Sequence, residues 1–466
     1  MTAAGGWRRG GARERGVLAL SVGLQLVLGL LFGHANDTRV FMATGYLVAH
    51  GRDPYLALNL SRVFHHTGFS VIKSVGYPPP WPLLTGLIYD AAHAAAGGLL
   101  LYNLALKLPV IAAEVGLAYL VVAILRGNGA EPQACRRAWV FLLLNPFLLY
   151  VGAAWGEIDV IVALLALSAL WLLWGTTPDG AAAPSGRGGE GGSAALRRRG
   201  GARASALLWR LGPEGSALLL ALAVCFKPTA LPLLAAAVLW LAGASLLRAA
   251  RYAAVCLLGV ALFYVAPFFV FGWSRAPFTQ RLNAHLVLKG SLSFMTVVRL
   301  VREPWLMQGH WWLLGLLWLP ALVIAVLLAG RGDGSLEDLL AKGAALTLVV
   351  FLTRSWLAEP DIVLVVPLAL VLTSFGVLER RALTALWVVP LLFTVFNASP
   401  LQLLWVTWPN VSARLLDDAG RYASLTLDVR ALLVVLWQVT GWWIVVACLR
   451  RRSAVRSRAA LSEAPA

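Results

Sequence analysis

Apolar stretches about as long as a bilayer is thick recur from end to end of the chain, separated by short polar intervals rich in arginine. Val17 to Gly33 is uncharged, and further runs cover roughly 103–125, 138–154, 157–174, 215–227, 229–247, 252–272, 310–330, 336–353, 360–378, 382–398 and 431–449. Backbone that crosses lipid has to satisfy its polar groups internally, which selects helices over open sheets. The pattern predicts an all-α, polytopic integral membrane protein with about twelve transmembrane helices.

The polar intervals differ in kind. Residues 34–102 hold five histidines, three Asp, three Arg and Lys73, and they read as a long outer loop. Inside it, Trp81 to Leu99 is apolar but contains Asp90 and His93 and opens on a proline cluster, which predicts an interfacial helix. Residues 175–214 are rich in Gly, Ala and Arg with almost no aromatics, the composition of a disordered linker. Ser216 to Leu247 is too long for one helix and short for two, so a pair hinged at Lys227-Pro228 is expected. The predicted organisation is a cytoplasmic N-terminus (1–16), an N-terminal membrane module (17–174) with the loop 34–102, the linker (175–214), a C-terminal membrane module (215–449) and a basic tail (450–466).

Charge fixes the orientation. The chain has 39 Lys plus Arg against 22 Asp plus Glu, a net +17, with 59% hydrophobic and 13% charged residues. In a soluble protein this excess would point to nucleic acid. Here it flanks apolar segments, so the positive-inside rule accounts for it and no nucleic-acid partner is implied. Arg126, Arg136 and Arg137, Arg197 to Arg199, Arg248 and Arg251, Arg331, Arg380 and Arg381, and the tail from Arg450 all fall on one side, which makes both termini cytoplasmic. The Ala, Gly and Arg bias fits a GC-rich prokaryotic genome, hence a cell membrane with the loop facing outward. Four cysteines (Cys135, Cys225, Cys256, Cys448) lie in or beside apolar runs without CxxC spacing, so neither a disulfide framework nor a zinc site is expected.

Ionisable groups at or within membrane spans are costly and mark function more often than charges elsewhere. They gather at a few outer points: His34, Asp37 and Arg39 after the first helix; Tyr77-Pro-Pro-Pro; Glu157 and Asp159 in the turn after Trp155; Lys227 at the helix break; the basic loop from Arg275 to Lys289; and Arg354, Glu359 and Asp361 at the lip of a late span. A carboxylate at a membrane surface can act as general base toward a hydroxyl, while Lys and Arg hold a phosphate and stabilise it as it leaves. The chain has no Rossmann or P-loop glycine motif, so a lipid-linked donor fits better than a soluble nucleotide sugar. Each residue also has a plainer role. Asp37 is well placed to cap the helix running through Tyr46, Glu157 and Asp159 suit an ordinary polar turn, His34 suits a solvated loop, and Arg354 and Glu359 suit a simple ion pair.

Taken together these points resemble the GT-C membrane glycosyltransferases, which use polyprenyl-phosphate sugars. The family's first helix, early loop Asp and Tyr-Pro-Pro element have counterparts, in order, in Val17 to Gly33, Asp37 and Tyr77-Pro78-Pro79. Asn145-Pro146 with Gly156-Glu157-Ile158-Asp159 is similar to the Asn-Pro…Gly-x-x-(Asn/Asp) turn of the dolichyl-phosphate-glucose and dolichyl-phosphate-mannose transferases, and Phe226-Lys227-Pro228 to their lysine-containing break. Ser355 to Glu359, followed by Val363 to Pro367, resembles the His-x-His-Glu-Lys…Pro segment, with Trp356 and Ala358 at the histidine positions and Pro360 near that of the lysine.

The resemblance implies an inverting hexosyltransferase. Asp37 would be the catalytic base, Lys227, Arg354 and Glu359 the donor phosphate and lipid ligands, and Arg39, Tyr77, Glu157 and Asp159 the other substrate contacts. The partners would be a polyprenyl-phosphate sugar, a glycan or glycolipid acceptor and membrane lipid, with no cofactor required and a divalent metal conceivable. The competing class is a multi-span transporter or lipid flippase. A transporter tends to place charges mid-helix in two related halves, whereas here they crowd the outer lip. A catalytically silent scaffold is the third possibility.

Overall fold

The computed structural model describes residues 11–70, 72, 75–95, 98–176, 212–275, 290–301, 311–397 and 399–462. Nearly all of the predicted linker, including Arg197 to Arg199, lies outside them, as does the loop from 276 to 289. Helix dominates: among the described residues, paired strand is confined to the two-residue parallel ladder of Gly290–Ser291 with Trp356–Leu357 and a single bridge between Leu58 and Ile72.

The principal helices are α1 (Ala12–Leu31), α2 (Asp37–Ala49), α3 (Pro80–Ala94), α4 (Leu99–Gly127), α5 (Pro132–Leu144), α6 (Asp159–Gly175), α7 (Gly212–Phe226), α8 (Leu231–Ala242), α9 (Leu246–Val260), α10 (Trp318–Ala329), α11 (Leu336–Thr353), α12 (Val366–Ser374), α13 (Arg380–Phe396) and α14 (Ala423–Ser462). Among the described residues, five segments are long and apolar enough to cross a membrane: Ala12–Leu31, Leu99–Gly127, Pro132–Trp155, Leu246–Val270 and Ala423–Arg450. Helix also occupies the remaining predicted segments, in pieces that are shorter or carry more charge than these five. The run expected at 360–378 opens as a 3-10 turn over Glu359–Leu364 before α12. The run expected at 138–154 is broken at Asn145, whose side chain caps a new short helix by accepting from the backbone N–H groups of Phe147 and Leu148.

Burial follows composition. A helix that is apolar all round belongs in an interior, and α11 is buried continuously from Leu339 to Thr353, with its one interior cation, Lys342, paired to Asp338 a turn earlier. By contrast α1 and α9 turn Leu20, Leu24 and Val27, and Leu257 and Leu258, outward, as helices bathed in lipid do. All four cysteines are free and buried.

The N-terminal helices set up the site. α1 runs beside α5 in the same direction: Trp139 Nε1 donates to the Glu14 carbonyl at 3.4 Å, and the Ser21 hydroxyl donates to the Leu143 carbonyl at 2.6 Å. α4 comes back against both, and Asn103 Nδ2 donates to the Gly29 and Phe32 carbonyls at 2.6 and 2.8 Å. These bonds satisfy carbonyls left open where α1 ends. They also fix where His34 and Asp37 begin. Gly33 is required there, since a Cβ would lie 2.5 Å from Val406 and 2.8 Å from Asn103.

Candidate functional site

Asp37 stands in the first turn of α2, and the residue before it makes no side-chain cap. Its carboxylate does not cap the helix either, so that plainer reading is corrected. Oδ2 accepts from Trp155 Nε1 at 2.8 Å and lies 2.8 Å from His34 Nδ1. Trp155 is delivered by a π-helical turn over Tyr150–Trp155, and its indole stacks on the His34 ring with centroids 4.3 Å apart. His34 is therefore buried against Trp155 rather than solvated in a loop. About a third of the Asp37 side chain, 32%, stays accessible. Burial pushes its carboxyl upward, but the charge of His34 and contacts with His34, Trp155 and Glu157 outweigh that and hold it at about 2, below its ordinary 3.8.

Glu157 and Asp159 are not a surface turn. They are 4% and 1% exposed, and each is spoken for. The Tyr77 hydroxyl donates to Glu157 Oε2 at 2.8 Å, tying the Tyr-Pro-Pro segment to the turn. Lys227 Nζ donates to both Asp159 oxygens at 2.9 and 2.8 Å and pairs with Asp361 Oδ1 at 2.8 Å. The hinge at Lys227-Pro228 explains how it gets there: α7 ends at Phe226, Lys227 is extended, and a 3-10 turn leads into α8. Lys227 Nζ also lies 5.9 Å from the centre of the Tyr77 ring. Glu157 is within electrostatic reach of Asp37, Asp159 and Lys227, so the polar groups form one continuous cluster.

The late lip residues divide. Arg354 and Glu359 do not pair with each other. Arg354 Nη1 stands 3.9 Å from Asp361 Oδ2, and 26% of its side chain is accessible. Glu359 is buried and accepts from Ser291 Oγ and Asn397 Nδ2, each at 3.0 Å, while Arg430 Nη1 donates to Asn397 Oδ1 at 2.9 Å. Glu359 still feels His34 electrostatically, so it borders the cluster. Arg39 is the expected substrate contact that stands apart. It donates to the carbonyls of Ala35 and Gly68 and to Asn36 Oδ1, with its guanidinium 5.5 Å from the centre of the Trp405 ring. That arrangement clamps the start of α2 to Gly68.

Three participants have no site role in the sequence reading: His34, marked there only as one of the outer ionisable groups and given no part beyond a solvated loop, Trp155, and Lys107. Lys107 lies in the third turn of α4, buried, and donates to the carbonyls of Phe32 and of Ala154, the latter at 2.8 Å. It thereby holds the chain just before His34 and just before Trp155. A lone lysine in a 29-residue apolar helix was the available signal. Among the described residues, no group of three or more His, Cys, Asp or Glu side chains is placed to hold a metal ion.

Chemically the arrangement offers one accessible carboxylate in a fixed orientation, a buried bank of acidic groups organised around one lysine, and a partly open guanidinium beside them. A search against protein families finds no match to this chain, and no curated protein is significantly similar to it.

Proposed function

We propose that the protein is a membrane glycosyltransferase of GT-C type, moving a hexose from a polyprenyl-phosphate donor to a hydroxyl of a glycan or glycolipid acceptor on the extracytoplasmic side. The observation that carries this reading is the convergence of Asp37, Tyr77, Glu157, Asp159, Lys227 and Asp361, from five separate parts of the chain, on one cluster in which Asp37 is the carboxylate left substantially open. In this reading Asp37 accepts the acceptor's proton as its oxygen bonds to the anomeric carbon. The carbon–oxygen bond to the lipid phosphate breaks on the opposite face, its electron pair leaves with the phosphate, and the configuration inverts. A carboxylate held near pKa 2 is ionised at every physiological pH, and the acceptor proton becomes acidic only as the new bond forms, so a weak base in the right place suffices.

Lys227 has its charge matched by two carboxylates, which makes it a poor free ligand for phosphate and a good organiser of Asp159 and Asp361. Arg354 is the cation this reading assigns to the leaving phosphate. Transfer from a radiolabelled polyprenyl-phosphate hexose into extracted lipid and glycan acceptors tests the proposal. Asp37→Asn is expected to lose roughly a hundredfold or more while still folding, and parent-like transfer by that variant would remove Asp37 from the role.

A second reading draws on Glu114, buried in α4 with only Gln25 bonded to it, at 3.3 Å, and Oε2 unpartnered. Such a group suits a transporter's ion path. Substrate flux in proteoliposomes without sugar transfer would favour it.

A further inference from the structure

At the far end of α1 from Asp37, a cavity of about 500 Å3 opens between the first turns of α1 and α5. Its polar wall is Arg13, Arg136 and Arg137, and its apolar wall includes Val17, Trp139 and Phe141. The three guanidiniums are exposed, and among the described residues none of them is in an ion pair. The acidic residue of the lining, Glu14, turns its carboxylate back over the start of α1, where Oε2 lies 2.9 Å from the position of a Cβ on Gly11. The Glu14 carbonyl is engaged by Trp139, which locks the two helix starts together and gives the cavity a fixed floor.

We propose that this cavity binds the phosphate headgroup of an anionic phospholipid from the leaflet opposite the Asp37 cluster. The proposal rests on α1 spanning the membrane and not on the transferase reading. A helix of 20 residues is about 30 Å long, the thickness of a bilayer's hydrocarbon layer. Arg13 and Asp37 at its two ends therefore sit at opposite lipid headgroup layers. Three arginines facing an apolar wall present what a phospholipid needs: forked donors for the phosphate oxygens, and Val17, Val140 and Phe141 continuing toward the bilayer for the acyl chains. Trp139 sits where indoles settle, at the boundary between the two.

The test uses the full chain in non-ionic detergent, with native mass spectrometry reading bound lipid. Phosphatidylglycerol should be retained on the parent roughly tenfold or more over phosphatidylcholine of the same acyl chains. Replacing the three residues together (Arg13→Gln, Arg136→Gln, Arg137→Gln) should reduce it to the phosphatidylcholine level, while the matching lysine replacements should keep most of it. If the triple variant does not fold, Arg136→Gln alone is read, and it should lose a measurable part of the preference. The proposal is overturned if the parent does not distinguish the two lipids, or if a folded glutamine variant holds phosphatidylglycerol as the parent does. It is also overturned if millimolar inorganic phosphate displaces the lipid completely, which would assign the cavity to a soluble phosphate.

Discussion

Asp37 owes its chemistry to two neighbours that arrive from different directions. His34 comes from three residues upstream, and Trp155 from a turn 118 residues away. Their combined pull lowers the carboxyl below its ordinary value, so the stabilisation it lends is complete above about pH 4 and is lost as pH falls toward 2. Removing the imidazole takes away the largest opponent of burial and lets the carboxyl rise back toward its ordinary value. In His34→Gln the acid limb of the transfer rate should move up by about 1–2 pH units relative to the parent, measured as a pH profile with folded protein confirmed at each point. An acid limb that stays in place would show that the imidazole does not set the protonation of Asp37. The charged residues at turns and breaks, Asp37, Glu157, Asp159 and Lys227, were legible in the sequence because charge beside lipid is costly. Their partners were not legible, because pairing depends on which helix ends meet in space. Lys227 was expected to face a phosphate, and it faces two carboxylates.

Among the elements, the breaks matter more than the helices. Hydrophobic runs reveal helices by length alone, and the proline at 228 announced one interruption, whereas the break at Asn145-Pro146 falls inside a run that reads as continuous. The π-turn over Tyr150–Trp155 gave no such announcement, since its six residues read as continuous apolar helix. It ends at Gly156, whose φ of +92° a side chain rarely tolerates, and a Cβ there would lie 2.8 Å from Lys107 Cε. Gly156→Ala therefore meets backbone strain and the Lys107 stem together. We expect a loss of about 2 kcal/mol or more in stability, read by denaturation in detergent. Lys107→Ala should relieve the contact part, so the double variant should be less unstable than the sum of the singles. Strict additivity would mean that the lysine stem moves aside without cost.

At the scale of the molecule, the arginine distribution predicts the orientation of the chain in its membrane. The structure supplies the rulers, since α1 carries Arg13 at one end and leads to Asp37 at the other. Single cysteines placed at Leu56 in the loop 34–102 and at Arg380 at the start of α13, both exposed, should react with a membrane-impermeant reagent from opposite sides of sealed cells or inverted vesicles. Leu56 should label from outside. Labelling of Leu56 from the cytoplasmic face would place the Asp37 cluster on the wrong side for a lipid-linked donor displayed outward, and the functional reading would fall with it.

The grip of Asp159 and Asp361 on Lys227 also bears on how the chain is made. A ribosome releases Asp159 first and its lysine 68 residues later, so α6 enters the lipid with a carboxylate that has to wait for its counter-ion. Asp361 has no such wait, because Arg354 precedes it by less than two helical turns and stands 3.9 Å away. The late segment can thus be inserted with Asp361 already paired, and trade part of that partnership with Arg354 for Lys227 once the earlier helices are in place. The order in which the chain is made then sets the order in which these charges pair, Asp361 at once and Asp159 only when Lys227 follows.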